Sequence, residues 1–280
     1  MTKTWFITGA STGFGRGLTE KLLVRGDRVA ATSRKADALD DLRKHYGDRL
    51  WTTHLDLRDL EQVRLTVDHA FTELGRIDYV VSNAGYGLLG AAEETTDEHL
   101  RDIVDTNLLG SIALIRSALP HLRAQGGGRV LQVSSEGGQI AYPAFSLYHA
   151  TKWGIEGFVE AVAQEVAPFG IGFMLVEPGP ARTNFVHGLV QPKPIAAYNG
   201  TPAHNIRDAA LGGDWVITGN PYRMVDAMIT AADAPDMPLR LVLGGTSYSA
   251  IRAALTGRIS ALDAQRDIAF STDYTAEELA

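Results

Sequence analysis

Thr8-Gly9-Ala10-Ser11-Thr12-Gly13-Phe14-Gly15 is the stretch on which the fold turns. Its glycine spacing, TGxxxGxG, marks a tight turn, and spacing alone says no more than that. The flanks say more. Residues 5–8 are an apolar run of strand length, and residues 15–25 have helical period with Leu18, Leu22 and Leu23 on one side and Gly26 as a C-terminal stop. Glycines between a strand and a helix let the backbone come close to a ligand at the positive end of the helix. That is a place for a pyrophosphate.

Outward from this turn the alternation repeats. Apolar runs of strand length stand at 28–33, 50–54, 77–82, 129–134 and 172–177, and segments of helical period at 36–46, 60–74, 98–123 and 148–166. Within 60–74, Val63, Val67, Ala70, Phe71 and Leu74 recur at helical spacing. The strands do not alternate in polarity, so both their faces are expected to be buried. The fold class is therefore α/β, a doubly wound parallel sheet of the Rossmann type. The pattern changes after Pro178, because residues 178–221 hold prolines at 178, 180, 192, 194, 202 and 221, six of the 11 in the chain. An irregular stretch of that length predicts a substrate loop over about 180–221. Beyond it come helical patterns at 222–232 and 247–266 around a short strand at 239–243, the last part being a helical tail over about 246–280. With no linker between the pieces, a single domain over 1–280 is expected.

Composition narrows the function. With 45% hydrophobic and 21% charged residues, 280 residues can bury a sizeable core. A net charge of −7 without a basic run argues against nucleic acid as a partner. There is no cysteine, which removes disulfides, thiolate metal sites and cysteine nucleophiles, and the eight histidines have no paired helical spacing, so no metal is expected. The N-terminus lacks a signal-peptide pattern, and no apolar run approaches the ~20 residues that span a bilayer. A cytoplasmic protein without membrane contact is expected.

Two further patterns carry chemistry. A ribose with a free 2′-hydroxyl is usually held by an acid after the second strand. Here Ser33 stands in that place, followed by Arg34 and Lys35. A guanidinium there pairs with a 2′-phosphate and stacks on adenine, whereas Lys35 reads as a solvated charge. NADP(H) is thus preferred, with NAD(H) as the alternative. Tyr148 and Lys152 lie four apart on a helix and share a face. A free tyrosine titrates near ~10, and a nearby cation stabilises the phenolate and lowers that value. Tyr148 then reads as a general acid or base, with Lys152 as the nearby cation. A lone YxxxK pair is common on ordinary helices, so its context matters.

The TGxxxGxG turn at the start of the chain, Asn83-Ala84-Gly85 after the fourth strand, and the Tyr148/Lys152 pair with Tyr148 thirteen positions beyond Ser135 together resemble the short-chain dehydrogenase/reductase family. The resemblance runs from Thr8 to Thr183. It implies a cofactor-binding set of Gly9, Ser11, Thr12, Gly13, Phe14, Gly15, Ser33, Arg34, Asp56, Leu57, Asn83, Ala84, Gly85, Tyr148, Lys152, Pro178, Gly179 and Thr183. In it Asp56 bonds the adenine amino group, Asn83 supports sheet and cofactor, the Pro178-Gly179 turn closes over the nicotinamide, and Thr183 bonds the carboxamide. It also implies that Ser135, rather than Ser134, orients the substrate carbonyl, and that Asn107, mid-helix, holds a water linking Lys152 to solvent. The catalytic set is then Tyr148, Lys152, Ser135 and Asn107.

The pocket is expected between residues 136–147, with Tyr142, Pro143 and Phe145, and the proline-rich loop. Phe145 reads equally as core packing, and His149, on another helix face than Tyr148, as incidental. The tail, with Tyr248, Ile251, Leu255 and Ile259 in helical register, is similar to the hydroxysteroid and retinol dehydrogenase-like branch. The implied activity is hydride transfer between NADP(H) and a small-molecule ketone, aldehyde or alcohol, in a homo-oligomer (dimer or tetramer). The alternatives are a redox-sensing module that binds NAD(P) without turnover, and a nucleotide-sugar epimerase or dehydratase. The intact set of four weighs against the first, and the lack of a larger C-terminal substrate domain against the second.

Overall fold

Strands β1 (Thr4–Ile7), β2 (Arg28–Ser33), β3 (Leu50–His54), β4 (Tyr79–Ser82), β5 (Gly128–Val133), β6 (Ile171–Pro178) and β7 (Arg240–Leu243) pair in parallel in one sheet, ordered β3-β2-β1-β4-β5-β6-β7. The structure is a computed structural model and describes residues 2–35, 37–213 and 217–279. The helices are α1 (Gly13–Arg25), α2 (Asp40–Tyr46), α3 (Leu60–Leu74), α4 (Asp97–Val104), α5 (Gly110–Ala124), α6 (Ser146–Val166), α7 (Pro202–Gly212), α8 (Pro221–Asp233), α9 (Gly245–Asp263) and α10 (Arg266–Ser271).

The continuous apolar strands divide their side chains between two faces, as a period of two requires. Trp5, Ile7, Val29, Ala31, Val81 and Leu131 pack with Leu18, Leu22, Val225 and Met228 of α1 and α8. Phe6, Ala30, Val80, Val130 and Leu175 pack with residues of α3, α5 and α6, among them Val67, Leu114, Ile115, Ile155 and Val159. Burying each such side chain contributes roughly 1.5–3 kcal/mol, which is why polar positions are scarce in these strands. The chain leaves β1 for β2 and β3 on one side, then crosses to β4 on the other. Loops that part company at such a reversal leave a crevice at the C-terminal strand ends. The site lies there.

Three expectations are corrected. The helix expected at 36–46 begins at Asp40, behind turns that include Asp40 N to Asp37 O at 3.2 Å, and Ala36 lies outside the described residues. The single long helix at 98–123 is two, α4 and α5, joined by a π-helical turn over Asp105–Leu109. The wide turn brings Asn107 inward, where its side chain bonds both backbone groups of Tyr86. The proline-rich loop is not irregular throughout, for it contains α7. Pro202 sits in the first turn of α7 behind Thr201, whose hydroxyl accepts from His204 N. Residues 214–216 of that loop lie outside the described residues. In the tail Ser247 and Ile251 are buried, whereas Tyr248, Leu255 and Ile259 are exposed.

Candidate active site

The turn after β1 is held by β4. Thr8 Oγ1 accepts from Asn83 N at 3.0 Å and Ala84 N at 3.2 Å, and Asn83 Nδ2 donates to Thr8 O at 2.8 Å and Gly9 O at 3.2 Å. Gly15 is required by this closeness, because a Cβ there would stand 2.4 Å from Gly9 O and 2.5 Å from Asn83 Nδ2. Thr12, at the N-cap of α1, makes no side-chain capping bond, so the first amides of the helix face the crevice. Gly9, Ser11, Thr12, Gly13, Phe14, Asn83, Ala84 and Gly85 all line one cavity of about 700 Å³. Gly15 instead lies beneath it and sets the fit of helix on turn.

Ser33, Arg34, Asp56 and Leu57 line the far end of the same cavity. Ser33 is buried, and its hydroxyl accepts from Lys35 N at 3.0 Å, which bends the chain after β2 and leaves Arg34 exposed at the rim. Asp56 accepts from Arg58 through both carboxylate oxygens and from Arg58 N at 3.0 Å, and that guanidinium holds its carboxyl below the usual range. Arg58 is therefore a further cation at this end, one that sequence reasoning passed over.

Tyr148, Lys152 and Ser135 meet beyond the ends of β5 and β6 and line the cavity together. Asn107 is buried beside them, its Nδ2 3.4 Å from Thr151 Oγ1, and a Cβ on Gly85 would lie 3.1 Å from its Oδ1 and 3.9 Å from Lys152 Nζ. Ser135 caps the 3₁₀ turn Glu136–Gly138 and accepts from Gly137 N at 3.1 Å. Ser134 turns its hydroxyl into the protein, donating to Glu156 at 2.5 Å. Lys152 Nζ donates to Val133 O at 3.0 Å and lies 5.6 Å from the centre of the Tyr148 ring. Burial pushes the ammonium down to about 8, opposed by Glu156. The expected lowering of Tyr148 is corrected: burial pushes its phenol up to about 12, the Ser135 hydroxyl opposes, and Glu136 and Glu156 add to the rise. Desolvation of the phenolate outweighs a cation that is itself engaged by a carbonyl.

Pro178, Gly179 and Thr183 line the cavity, with Thr183 Cβ 3.7 Å from where a Cβ on Gly13 would stand. Tyr142 and Phe145 form one wall, and Phe185, Val186 and Leu189 of the loop form the other. Phe145 does both things expected of it, being buried in a cluster with Leu88, Leu89 and Ile103 while facing the cavity. His149 is not incidental. It is buried, its Nδ1 lies 2.9 Å from Gly137 O, and its Nε2 accepts from Tyr142 N at 3.2 Å. The carbonyl requires a proton on Nδ1 and the amide requires a bare Nε2, so the ring is neutral and braces the wall carrying Tyr142. A helical wheel places His149 away from Tyr148, and nothing in one sequence reveals the folded-back loop it meets. Among the described residues no helix is long and apolar enough to cross a membrane, and no group of His, Asp and Glu side chains could hold a metal ion.

The parallel sheet, with a crevice at its strand-order reversal lined by Tyr148, Lys152 and Ser135, places the protein in the Rossmann class of α/β folds. The sequence model of the family described as short chain dehydrogenase matches residues 3–194, and the chain belongs to that family. An oxidoreductase of Botryotinia fuckeliana is 37% identical over 249 residues, covering 87% of this chain and 89% of the relative. Human 17-beta-hydroxysteroid dehydrogenase type 1 is 31% identical over 265 residues, covering 84% and 75%. The crystal structure of a short-chain dehydrogenase from Streptomyces avermitilis superposes with a TM-score of 0.90 at 37% identity, covering 98% of this chain and 99% of that one. An alcohol dehydrogenase from Thermococcus sibiricus complexed with 5-hydroxy-NADP superposes with a TM-score of 0.71 at 26% identity, covering 87% and 96%. The protein is thus an NAD(P)-dependent dehydrogenase or reductase.

Proposed function

We propose that the protein is an NADP(H)-dependent carbonyl reductase or alcohol dehydrogenase using Tyr148, Lys152, Ser135 and Asn107. The observation that carries this reading is the convergence of Tyr148, Lys152 and Ser135, from two elements, on the inner end of one cavity. The cradle fits a dinucleotide: Gly15 admits no Cβ, the start of α1 is uncapped by Thr12, and Arg34 stands at the rim where a 2′-phosphate would lie. The residues that would hold it are the cradle residues named above, with Arg34 on the 2′-phosphate, Lys152 on the nicotinamide ribose and Thr183 on the carboxamide. When bound, NADP(H) supplies or accepts the hydride.

Tyr148 holds the transferable proton on Oη. Its phenol donates that proton to the carbonyl oxygen in reduction and accepts it back in oxidation. A phenol that burial keeps protonated at neutral pH suits reduction. Ser135 Oγ donates a hydrogen bond to the same oxygen and fixes its direction. Asn107, against Tyr86 and close to Lys152, holds the water that links Lys152 to solvent. Phe185, Tyr142, Phe145 and Leu189 wall the substrate end, which favours a mainly apolar, ring-containing carbonyl compound. Pro180, Ala181 and Thr183 to Val186 of the proline-rich loop line it, and one sheet with two continuous clusters supports reading the chain as one domain.

The test is a spectrophotometric screen of NADPH and NADH oxidation against cyclic, aromatic and aliphatic ketones and aldehydes, with Tyr148→Phe alongside. Expected are a clear preference for NADPH, and a variant that binds NADPH with near-native affinity but does not turn over. Turnover by Tyr148→Phe like that of the wild type would overturn the assignment.

A further inference from the structure

Behind the cavity lies a buried charge cluster that the proposed reaction does not use. Glu156 and Glu177 are 3% and 0% exposed, and both accept from Nη1 of Arg240, at 2.6 and 2.5 Å. Arg240 also reaches Glu160 on the outer face of α6, through Nε at 3.0 Å and Nη2 at 2.7 Å. Two carboxylates this deep are costly unless charge and hydrogen bonds satisfy them. Burial raises Glu177, and the neighbouring charge of Glu156 adds to the rise.

The other oxygens of these two carboxylates are engaged as well. Ser134 Oγ donates to Glu156 Oε1 at 2.5 Å, and Gln139 Nε2 donates to Glu177 Oε2. Ser134 and Gln139 are the two ends of the segment that carries Ser135 and its 3₁₀ turn. Gly138 completes the fit, since a Cβ there would stand 1.8 Å from Glu156 Oε1. Both ends of the segment thus hang, through one carboxylate each, on a single guanidinium nitrogen of the edge strand β7. Lys152, one turn before Glu156 on α6, is a further charge that this carboxylate faces.

We propose that Arg240 is a positioning residue for Ser135, clamping both ends of the 134–139 segment through Glu156 and Glu177. The proposal rests on the role given to Ser135 under the proposed function. Arg240 is absent from the lining of the cavity. Its effect is therefore on the aim of the Ser135 hydroxyl, where displacement of about 1 Å can cost about a hundredfold in rate.

The experiment is a double-mutant cycle on kcat, with cofactor affinity measured separately. Arg240→Met is expected to lower kcat about tenfold or more while the NADPH dissociation constant stays within about twofold. In a Ser135→Ala background the same substitution is expected to cost less than about twofold, because the group it aims is gone. Ser134→Ala and Gln139→Leu each cut one arm and leave the ion pairs intact. They are expected to show smaller losses with the same coupling, and they decide the matter if Arg240→Met does not fold. An equal fold-loss in both backgrounds, or an unchanged kcat in folded single variants, overturns the clamp. If Ser135→Ala leaves turnover intact, the role of Ser135 falls instead. The clamp is then judged by hydrogen exchange of the 134–140 amides, which Arg240→Met must accelerate and would leave unchanged if no clamp exists.

Discussion

Replacing Lys152 by Met should make the protein more stable while removing its activity. The ammonium is buried and burial takes it from its ordinary value of 10.5 to about 8. The difference corresponds to a penalty of about 3 kcal/mol on the charged form at neutral pH, at about 1.4 kcal/mol per tenfold. Methionine has similar length and no charge to desolvate. It forfeits the hydrogen bond from Nζ to Val133 O, which returns about 1–2 kcal/mol of that gain. A net stabilisation of about 1–2 kcal/mol at about pH 7 is expected, read from urea unfolding of wild type and variant with no cofactor added.

The sign with pH is a sharper test. Below about 8 the folded protein carries the buried charge and bears the full penalty. Between about 8 and 10.5 the unfolded chain binds more protons at this lysine than the folded protein does, so the wild type gains stability with rising pH and the variant does not. The difference between them should therefore shift by up to about 3 kcal/mol as pH rises from about 7 to about 10.5, closing the variant's advantage of about 1–2 kcal/mol and leaving the wild type the more stable at the upper end. A variant less stable than wild type at neutral pH, together with a gap that does not change with pH, refutes the reasoning. Reduction by the wild type should likewise fall above about pH 8, as the ammonium is lost.

Arg34→Ala should weaken NADPH binding roughly 10- to 100-fold and leave NADH nearly unchanged, and Ser33→Asp added to it should turn the preference to NADH in the same titration. Gly15→Ala should lower affinity for either dinucleotide at least about tenfold and cost about 1–3 kcal/mol in thermal unfolding, because its Cβ would meet the backbone of Gly9 at 2.4 Å; native-like binding would contradict the cradle. Ala144, buried in the cluster that holds Phe145 and with a φ of 67°, has a left-handed backbone conformation that side chains disfavour. Ala144→Gly should raise stability by up to about 1 kcal/mol, and a lowered melting temperature would argue against strain there.

The sheet and the cradle were legible because they rest on local periodicity and on residue types that serve one purpose. Continuous apolar strands imply two covered faces, and both are present. The TGxxxGxG turn, Asn83 and the Tyr148/Lys152 pair lie at strand ends or on one helix face, so their meeting at the crevice follows from the strand order. Where the reading failed, a contact distant in sequence had overruled a local pattern. The helical period across 98–123 runs unbroken, yet the backbone of Tyr86 draws Asn107 inward and the helix widens into a π turn. The prolines at 178–221 suggested irregular chain, although Thr201-Pro202 is itself a helix start.

Strand period, glycine spacing and helix register act over a few residues, so the layers, the glycine turn and the side chains that line the crevice can be read along the chain. Long-range packing tunes those groups. It sets the burial that raises Tyr148 and lowers Lys152, the neutral His149 that braces Tyr142, and the reach of Arg240 to Glu156, 84 positions away. Desolvation and hydrogen-bond partnership belong to the packed interior, and no run of neighbouring residues encodes them.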